Sequence, residues 1–285
     1  MRIVLCGVRG STPAPGPEFV RYGGHTSCVA IAHDGEPPTL LLDAGTGLRN
    51  VAPLLDGRAF VGSILLGHLH WDHTHGLPFF PAGDRPDARV SVHVPAQGDA
   101  LEVLGRAMGP PHFPITPDQL VGAWSFESLE PGRHDIEGFS VVAAEIPHTA
   151  GRTYGYRVSD ATGTVTYLSD HWPTALGPGP DGLGERHEAA ITLARDADLL
   201  VHDAQYLDEE LPSKAHYGHA AVSYAVDLGR AAGVQRVVLF HHDPVRDDDQ
   251  LDALAHVHAG RRAPQVVVAR QGDATDLPLA PGSPS

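Results

Sequence analysis

The 285-residue sequence is short of cysteine, of lysine and of long apolar runs, and each shortage excludes a class of protein. Two cysteines, Cys6 and Cys28, cannot build a disulfide framework, so a reduced, cytoplasmic protein is expected. No apolar run approaches the roughly 18 residues of a membrane-spanning helix, and no membrane partner is expected. Positive charge is scarce: 20 basic residues face 35 acidic ones, a formal net charge of −15. Such a surface attracts polyanions poorly unless a local basic patch exists. The opening MRIVLCGVRGS has a short apolar run followed by turn residues, which reads as a first strand rather than a signal peptide. Hydrophobic residues make up 42% of the chain, enough for a core without disulfide help.

Histidine is abundant, with 19 residues against a single lysine, Lys214. It is the commonest protein metal ligand and titrates near neutral pH. Short apolar runs bounded by Gly, Pro or charged residues predict strands at Ile3–Cys6, Thr26–Ala32, Thr39–Leu42, Phe60–Leu66 and Arg89–Val94. Further strands are predicted at Phe139–Ile146, Tyr154–Val158, Thr164–Leu168, Leu199–His202, Arg236–Phe240 and Gln265–Ala269. Helical spacing marks Gln97–Met108, Glu185–Asp196, Ala220–Gly233 and Asp247–Ala259. The order of elements suggests a layered α/β protein with large mixed or mostly antiparallel sheets. A single domain over 1–276 is expected, followed by a flexible tail, Leu277–Ser285. The Gly- and Pro-rich stretch Trp172–Gly184 reads as a loop.

The densest chemical signal is His68-Leu69-His70-Trp71-Asp72-His73, directly after the apolar run Ser63–Gly67. Residues two apart after a strand can point the same way, and a tight turn then brings in the next pair. His68 and His70 can face one metal ion while Asp72 and His73 face a second. Structural zinc sites are usually closed and rich in cysteine, and neither cysteine is near. Further ligands must come from elsewhere. His148, Asp170, His241 and His242 each follow a predicted strand, where a fold presents side chains to a cleft. Any one of them alone reads equally well as a turn residue.

Together with Leu42-Asp43-Ala44-Gly45, these residues resemble the metallo-β-lactamase fold superfamily, and the resemblance covers essentially the whole chain. It implies an α/β fold, a four-layer αββα sandwich with two mixed β-sheets and a binuclear metal centre at one rim. It implies His68, His70 and His148 on one divalent ion, Asp72, His73 and His241 on the other, and Asp170 bridging them. Zinc is the first expectation, with manganese or iron as alternatives. Asp43 is expected to hold a ligand histidine.

In the β-lactamase proper branch a cysteine is common where Asp170 stands here. Tyr217-Gly218-His219-Ala220 and Leu200-Val201-His202-Asp203-Ala204 are similar to elements of the ribonuclease Z and cyclic phosphodiesterase branch. Only His219 carries over from its His-Ser-Thr-like element, since Ala220 and Ala221 replace the hydroxyl residues. The resemblance assigns His219 as proton donor to the leaving oxygen and Asp203 as its orienting partner, with Asp72 both ligand and orienter of the nucleophile. The loops Gly10–Pro13 and Tyr22–Ser27 resemble loops near the site, which makes Arg21, His25 and Ser27 candidates to touch substrate, with ordinary loop roles the favoured reading. His171 and His242 are expected to line the cleft and His75 to stand behind the ligands; Phe79, Phe80 and Trp172 could offer an apolar wall, but core packing is the favoured reading for them.

The leading expectation is a phosphodiesterase acting on a small diester, such as a cyclic nucleotide, by attack of a hydroxide shared between two divalent ions. Nucleic acid is the less favoured partner because the net charge is −15 and Trp172–Gly184 carries no Lys or Arg. The alternatives are a tRNA 3′-processing endonuclease of ribonuclease Z type, a lactone, thioester or β-lactam hydrolase, and a non-catalytic metal-binding sensor. A homodimer is the expected assembly.

Overall fold

The computed structural model describes residues 1–260 and 264–279. Fourteen strands run in chain order: β1 (Arg2–Gly7), β2 (Cys28–Ala32), β3 (Leu40–Leu42), β4 (Val61–Leu65), β5 (Arg89–Pro95), β6 (Ala123–Leu129), β7 (Gly132–Ile136), β8 (Phe139–Ile146), β9 (Thr153–Ser159), β10 (Thr164–Leu168), β11 (Leu199–Asp203), β12 (Arg236–Phe240), β13 (Gln265–Val268) and β14 (Ala274–Asp276). The helices are α1 (Trp71–Thr74), α2 (Ala100–Gly105), α3 (Glu188–Ala194), α4 (Leu211–Lys214), α5 (Val222–Ala231) and α6 (Asp248–His258). A ten-residue 3-10 segment, Thr46–Leu55, was not apparent from the apolar spacing. Among the described residues, no helix is long and apolar enough to cross a membrane.

The strands form two seven-stranded sheets, in the orders β14-β1-β2-β3-β4-β5-β6 and β13-β12-β11-β10-β9-β8-β7. Each is mixed. In the first, β3 to β6 run parallel and β14, β1, β2 and β3 are antiparallel neighbours. In the second, β10 to β13 run parallel and β7 to β10 antiparallel.

The alternation of side chains along a strand explains the layers. Leu199 and Val201 of β11 join the core between the sheets, with Val29, Ile31 and Leu65 from the facing sheet. Leu200, between them, faces outward onto Leu193 of α3 and Ala225 and Leu228 of α5. On the other outer face, Ile64, Val90 and Val92 pack with Leu48, Val51 and Leu55 of the 3-10 segment and Leu104 of α2. The result is the expected αββα sandwich. Its central strands are buried on both faces, so they read as unbroken apolar runs.

Three strands were not legible in the sequence, and all lie at sheet edges. β6, β7 and β14 include Ser125, Glu127, Arg133, Asp135 and Asp276, and most of their residues are not buried. An edge strand with a wet face carries no apolar signature. The strand β14 closes the expected domain at Asp276, and the expected tail begins one residue later. Leu277 is buried, and its N–H donates to the Met1 carbonyl at 2.8 Å. Residues 280–285 lie outside the described residues.

The topology gathers strand ends at one rim. Asp43 follows β3, His68 follows β4, His148 follows β8, Asp170 follows β10, Asp203 ends β11 and His241 follows β12. Parallel neighbours end side by side, so distant residues of the chain meet there.

Candidate metal centre

Two sets of ligating atoms that share Asp170 converge at this rim, His68, His70, His148 and Asp170 in one and Asp72, His73, Asp170 and His241 in the other, with a third of Asp203, His219 and His241 beside them. Within each set the atoms lie within 4.8 Å of one another. Asp170 belongs to both and divides its oxygens. Oδ2 lies 3.6 Å from His68 Nε2 and 3.4 Å from His148 Nε2. Oδ1 lies 3.0 Å from His73 Nε2 and 3.2 Å from His241 Nε2.

The surrounding groups decide which nitrogen of each ring carries the proton. His73 Nδ1–H donates to Asp43 Oδ2 at 2.7 Å, His241 Nδ1–H to Gln205 Oε1 at 2.9 Å and His148 Nδ1–H to the Gly218 carbonyl at 2.8 Å. Each Nε2 therefore faces the carboxylates. Asp72 Oδ2 sits 3.1 Å from both His73 Nε2 and His241 Nε2. Contacts this close need a proton or a metal ion between the nitrogen and the oxygen. Both nitrogens of His68, the His73 Nε2 and the Asp170 Oδ1 are buried with no hydrogen-bond partner. Nitrogen and carboxylate donors of this kind suit zinc and also manganese or iron, so the residues fit divalent metal binding.

The electrostatics agree. Burial pushes the His68 and His148 imidazoles down, His148 to about 4, so both are neutral near pH 7 and can offer a lone pair. Burial opposes ionisation of Asp170, yet His241, His73 and His68 outweigh it and hold the carboxyl well below the usual range. Burial opposes a charged His73, yet Asp72, Asp170 and Asp43 raise its pKa well above the ordinary imidazole value. That negative field also attracts a divalent cation.

Beside the two sets, Asp203 Oδ2 accepts from His219 Nδ1 at 3.0 Å and from the backbone N–H of His171 and of Ala220. Its Oδ1 accepts the Gln205 N–H at 3.0 Å. Burial alone would lower the His219 pKa, but Asp203 more than offsets it, and the ring is raised to about 8. His219 Nδ1 stands 3.8 Å from Asp170 Oδ2.

Asp43 anchors the rim. Its backbone is left-handed, with φ 61°, and four donors meet its carboxylate: Gly67 N–H, His73 Nδ1–H, Tyr167 O–H and Ser169 O–H.

Several expected contacts are absent. Ser27 is fully buried, and its hydroxyl faces the Arg9 carbonyl, so it cannot reach a substrate. His171 is also fully buried; it pairs with His202 Nε2 at 3.1 Å behind Asp170 and does not line the cleft. His242 is buried and bonds the Ala269 carbonyl at 2.8 Å. Arg21 is held by Asp249 and Asp252. Phe80 packs on Phe60 in the core, the reading favoured from the sequence, whereas Phe79 is exposed and meets Phe113. His25 is half-buried, with Nδ1 3.2 Å from Thr46 Oγ1. Trp172 bonds Thr174 through its indole N–H. Trp71 is exposed and stacks on His75, which stands on the outside of the ligand turn rather than behind the ligands. Gln205 and Tyr167 were missed. Gln205 directly follows Asp203-Ala204, but a lone glutamine or tyrosine carries no signal of its own.

The sequence matches the beta-lactamase superfamily domain over residues 39–242. The chain belongs to that superfamily. It is a metal-dependent hydrolase, as the superfamily match and the two ligand sets indicate. A ribonuclease Z of Natronomonas pharaonis is 24% identical over 98% of this chain and 98% of its own. The crystal structure of the short form of human tRNase Z superposes with a TM-score of 0.67 at 19% identity, covering 98% of this chain and 100% of that one. A diphosphatase from the PhnP family gives a TM-score of 0.66 at 16% identity, covering 98% of each chain. At these identities the solved structures bear on the fold, which they share with this superfamily member.

Chelation is expected to abolish hydrolysis and to lower the melting temperature, because bound ions stabilise the folded state by mass action. Ions at a hundredfold excess over their Kd add about 2.7 kcal/mol. Calorimetric scans with EDTA and with restored Zn or Mn check this. An unchanged melting temperature with no metal in the purified protein would contradict it.

Proposed function

We propose that this superfamily member is a phosphodiesterase of the ribonuclease Z type, a cytoplasmic endonuclease that cuts tRNA precursors on their 3′ side. The observation that carries the reading is the His219–Asp203 pair, 3.0 Å apart, set against the Asp170 carboxylate that both ligand sets share. The ribonuclease Z relatives, one of which matches over 98% of both chains, favour RNA over a small diester as substrate.

The chain's own groups have separable tasks. Divalent ions, when bound, supply positive charge for phosphoryl oxygens and acidify a water. His68, His70 and His148 would hold one ion, Asp72, His73 and His241 the other, with Asp170 between. Asp203 holds the His219 ring through Nδ1, which leaves Nε2 to pass a proton to the departing ribose oxygen. Burial of His219 and Asp203 keeps bulk water from competing for that proton.

A second reading, a small diester as substrate, draws on the charge. The net charge is −15, Lys214 is tied to Asp243 at 2.9 Å, and Arg246 to Glu210 at 2.5 Å. The deciding experiment compares cleavage of a tRNA precursor with turnover of bis-p-nitrophenyl phosphate and cyclic nucleotides, in Zn and in Mn. Correct 3′ cleavage with a steep salt dependence supports the endonuclease. Turnover of cyclic nucleotides with an inert tRNA precursor moves the assignment to the small diester. His219→Ala is expected to lower kcat on the order of 10²-fold with both ions retained. A change under twofold would remove His219 from the reaction.

A further inference from the structure

The Gly10-Ser11-Thr12-Pro13 loop, which the sequence placed near the site without a task, meets the second ligand set directly. Ser11 has a left-handed backbone, φ 60°, and its N–H donates to Asp72 Oδ2 at 2.7 Å. Its hydroxyl accepts from Gln205 Nε2 at 3.2 Å. Gln205 Oε1 in turn accepts from His241 Nδ1 at 2.9 Å, and His241 Nε2 lies 3.1 Å from Asp72 Oδ2. The four residues close a ring: Ser11, Gln205, His241, Asp72. In this ring the N–H side of the Gln205 amide faces two hydroxyls, Ser11 and Tyr206. Gly10 lets the loop pass close enough: a Cβ there would lie 2.5 Å from His241 Nδ1 and 2.6 Å from Gln205 Oε1.

The other set has no such frame. His148 is fixed by the Gly218 carbonyl, but neither nitrogen of His68 has a hydrogen-bond partner. His70 is only half-buried, and among the described residues the hydrogen-bond contact of its Nδ1 is His148 Nε2, at 3.3 Å. The charges differ too. The framed set has Asp72 and Asp170, the open one only Asp170.

We propose that Ser11 and Gln205 are positioning residues that make the two metal sites unequal, so that the Asp72–His73–His241 site takes a divalent cation first and more tightly than the His68–His70–His148 site. The cause is preorganisation. Ligands already held in place lose little freedom on binding, and the second carboxylate adds attraction. Loss of a partner that orients a ligand typically weakens metal binding about 10- to 100-fold. The inference rests on the metal-dependent reading but not on the choice of substrate.

The experiment is calorimetric titration of the metal-free protein with Zn and with Mn, the ion count checked by elemental analysis. Two steps are expected. In His148→Ala the weaker step disappears and the tighter one stays. Gln205→Leu weakens the tighter step about 10- to 100-fold and leaves the weaker step within about threefold. Gln205→Glu keeps an acceptor for His241 and restores most of the affinity, which a merely structural defect would not allow. Thermal scans of the metal-free variants confirm folding. Should Gln205→Leu prove unfolded, Ser11→Ala, which keeps the N–H and removes only the hydroxyl, is read instead, with a selective loss of several-fold expected in the tighter step. Two indistinguishable steps, or loss confined to the weaker step, would overturn the proposal alone. Binding of no ion at all would overturn the metal-dependent reading with it.

Discussion

Asp170→Ala is expected to lower hydrolysis by 10⁴-fold or more and to leave the protein with at most one weakly held ion. Asp170 is the one side chain common to both ligand sets, with Oδ2 toward His68 and His148 and Oδ1 toward His73 and His241. A metal ion supplies several kcal/mol of transition-state stabilisation, and each factor of ten in rate is about 1.4 kcal/mol. In the proposed two-ion centre, loss of the shared carboxylate would impair both ions, so the effect is expected to exceed that of any other single ligand. Asp170→Asn serves as a control of shape. Its amide keeps the volume but can offer only one acceptor oxygen, so it is expected to fall close to the alanine variant. Rates within tenfold of the parent, with two ions bound, would remove Asp170 from its bridging place.

Asp43→Ala is expected to be the most destabilising single change at the rim. Its carboxylate is fully buried and receives Gly67 N–H, His73 Nδ1–H, Tyr167 O–H and Ser169 O–H. Truncation strands these donors in the interior, at a cost of about 3–5 kcal/mol for a buried charged acceptor. In a chain of this size that corresponds to roughly 10 °C in melting temperature. The His73 ring also loses the group that sets its tautomer, and metal affinity should drop about 10- to 100-fold. Asp43→Asn tolerates the left-handed backbone but turns one acceptor into a donor, and a smaller loss of about 1–3 kcal/mol is expected. Urea unfolding of the metal-free proteins measures the packing part separately from the metal part. An Asp43→Ala midpoint equal to the parent's would contradict the assignment.

For the substrate, the relatives favour the alternative drawn from the sequence over its main expectation. Charge arithmetic favoured a small diester, whereas the similarity to ribonuclease Z extends over 98% of both chains. Net charge describes the whole surface, and a nucleic acid touches only part of it. A sum over the chain therefore ranks substrates weakly.

The sequence by itself determined the His68–His73 cluster, the long buried strands and the four main helices. All three are local: spacing within six residues, apolar runs, and periodic faces leave a trace in consecutive letters. The edge strands β6, β7 and β14 left none, because a strand wet on one side and short or polar has no apolar run to read. The resemblance named His241 and Asp170 as ligands, and only the tertiary structure decided where their neighbours His242 and His171 go. His241 and His242 are neighbours, as are Asp170 and His171. In each pair one turns to the ligands and the other is buried elsewhere, on the Ala269 carbonyl or on His202. Strand-end side chains point alternately, and with both sheet faces buried, composition cannot tell one direction from the other. The left-handed backbones of Ser11, Asp43 and His241 and the ring through Gln205 likewise join residues far apart in sequence. They exist because parallel strands end together at one rim, which is a property of topology and not of any one segment.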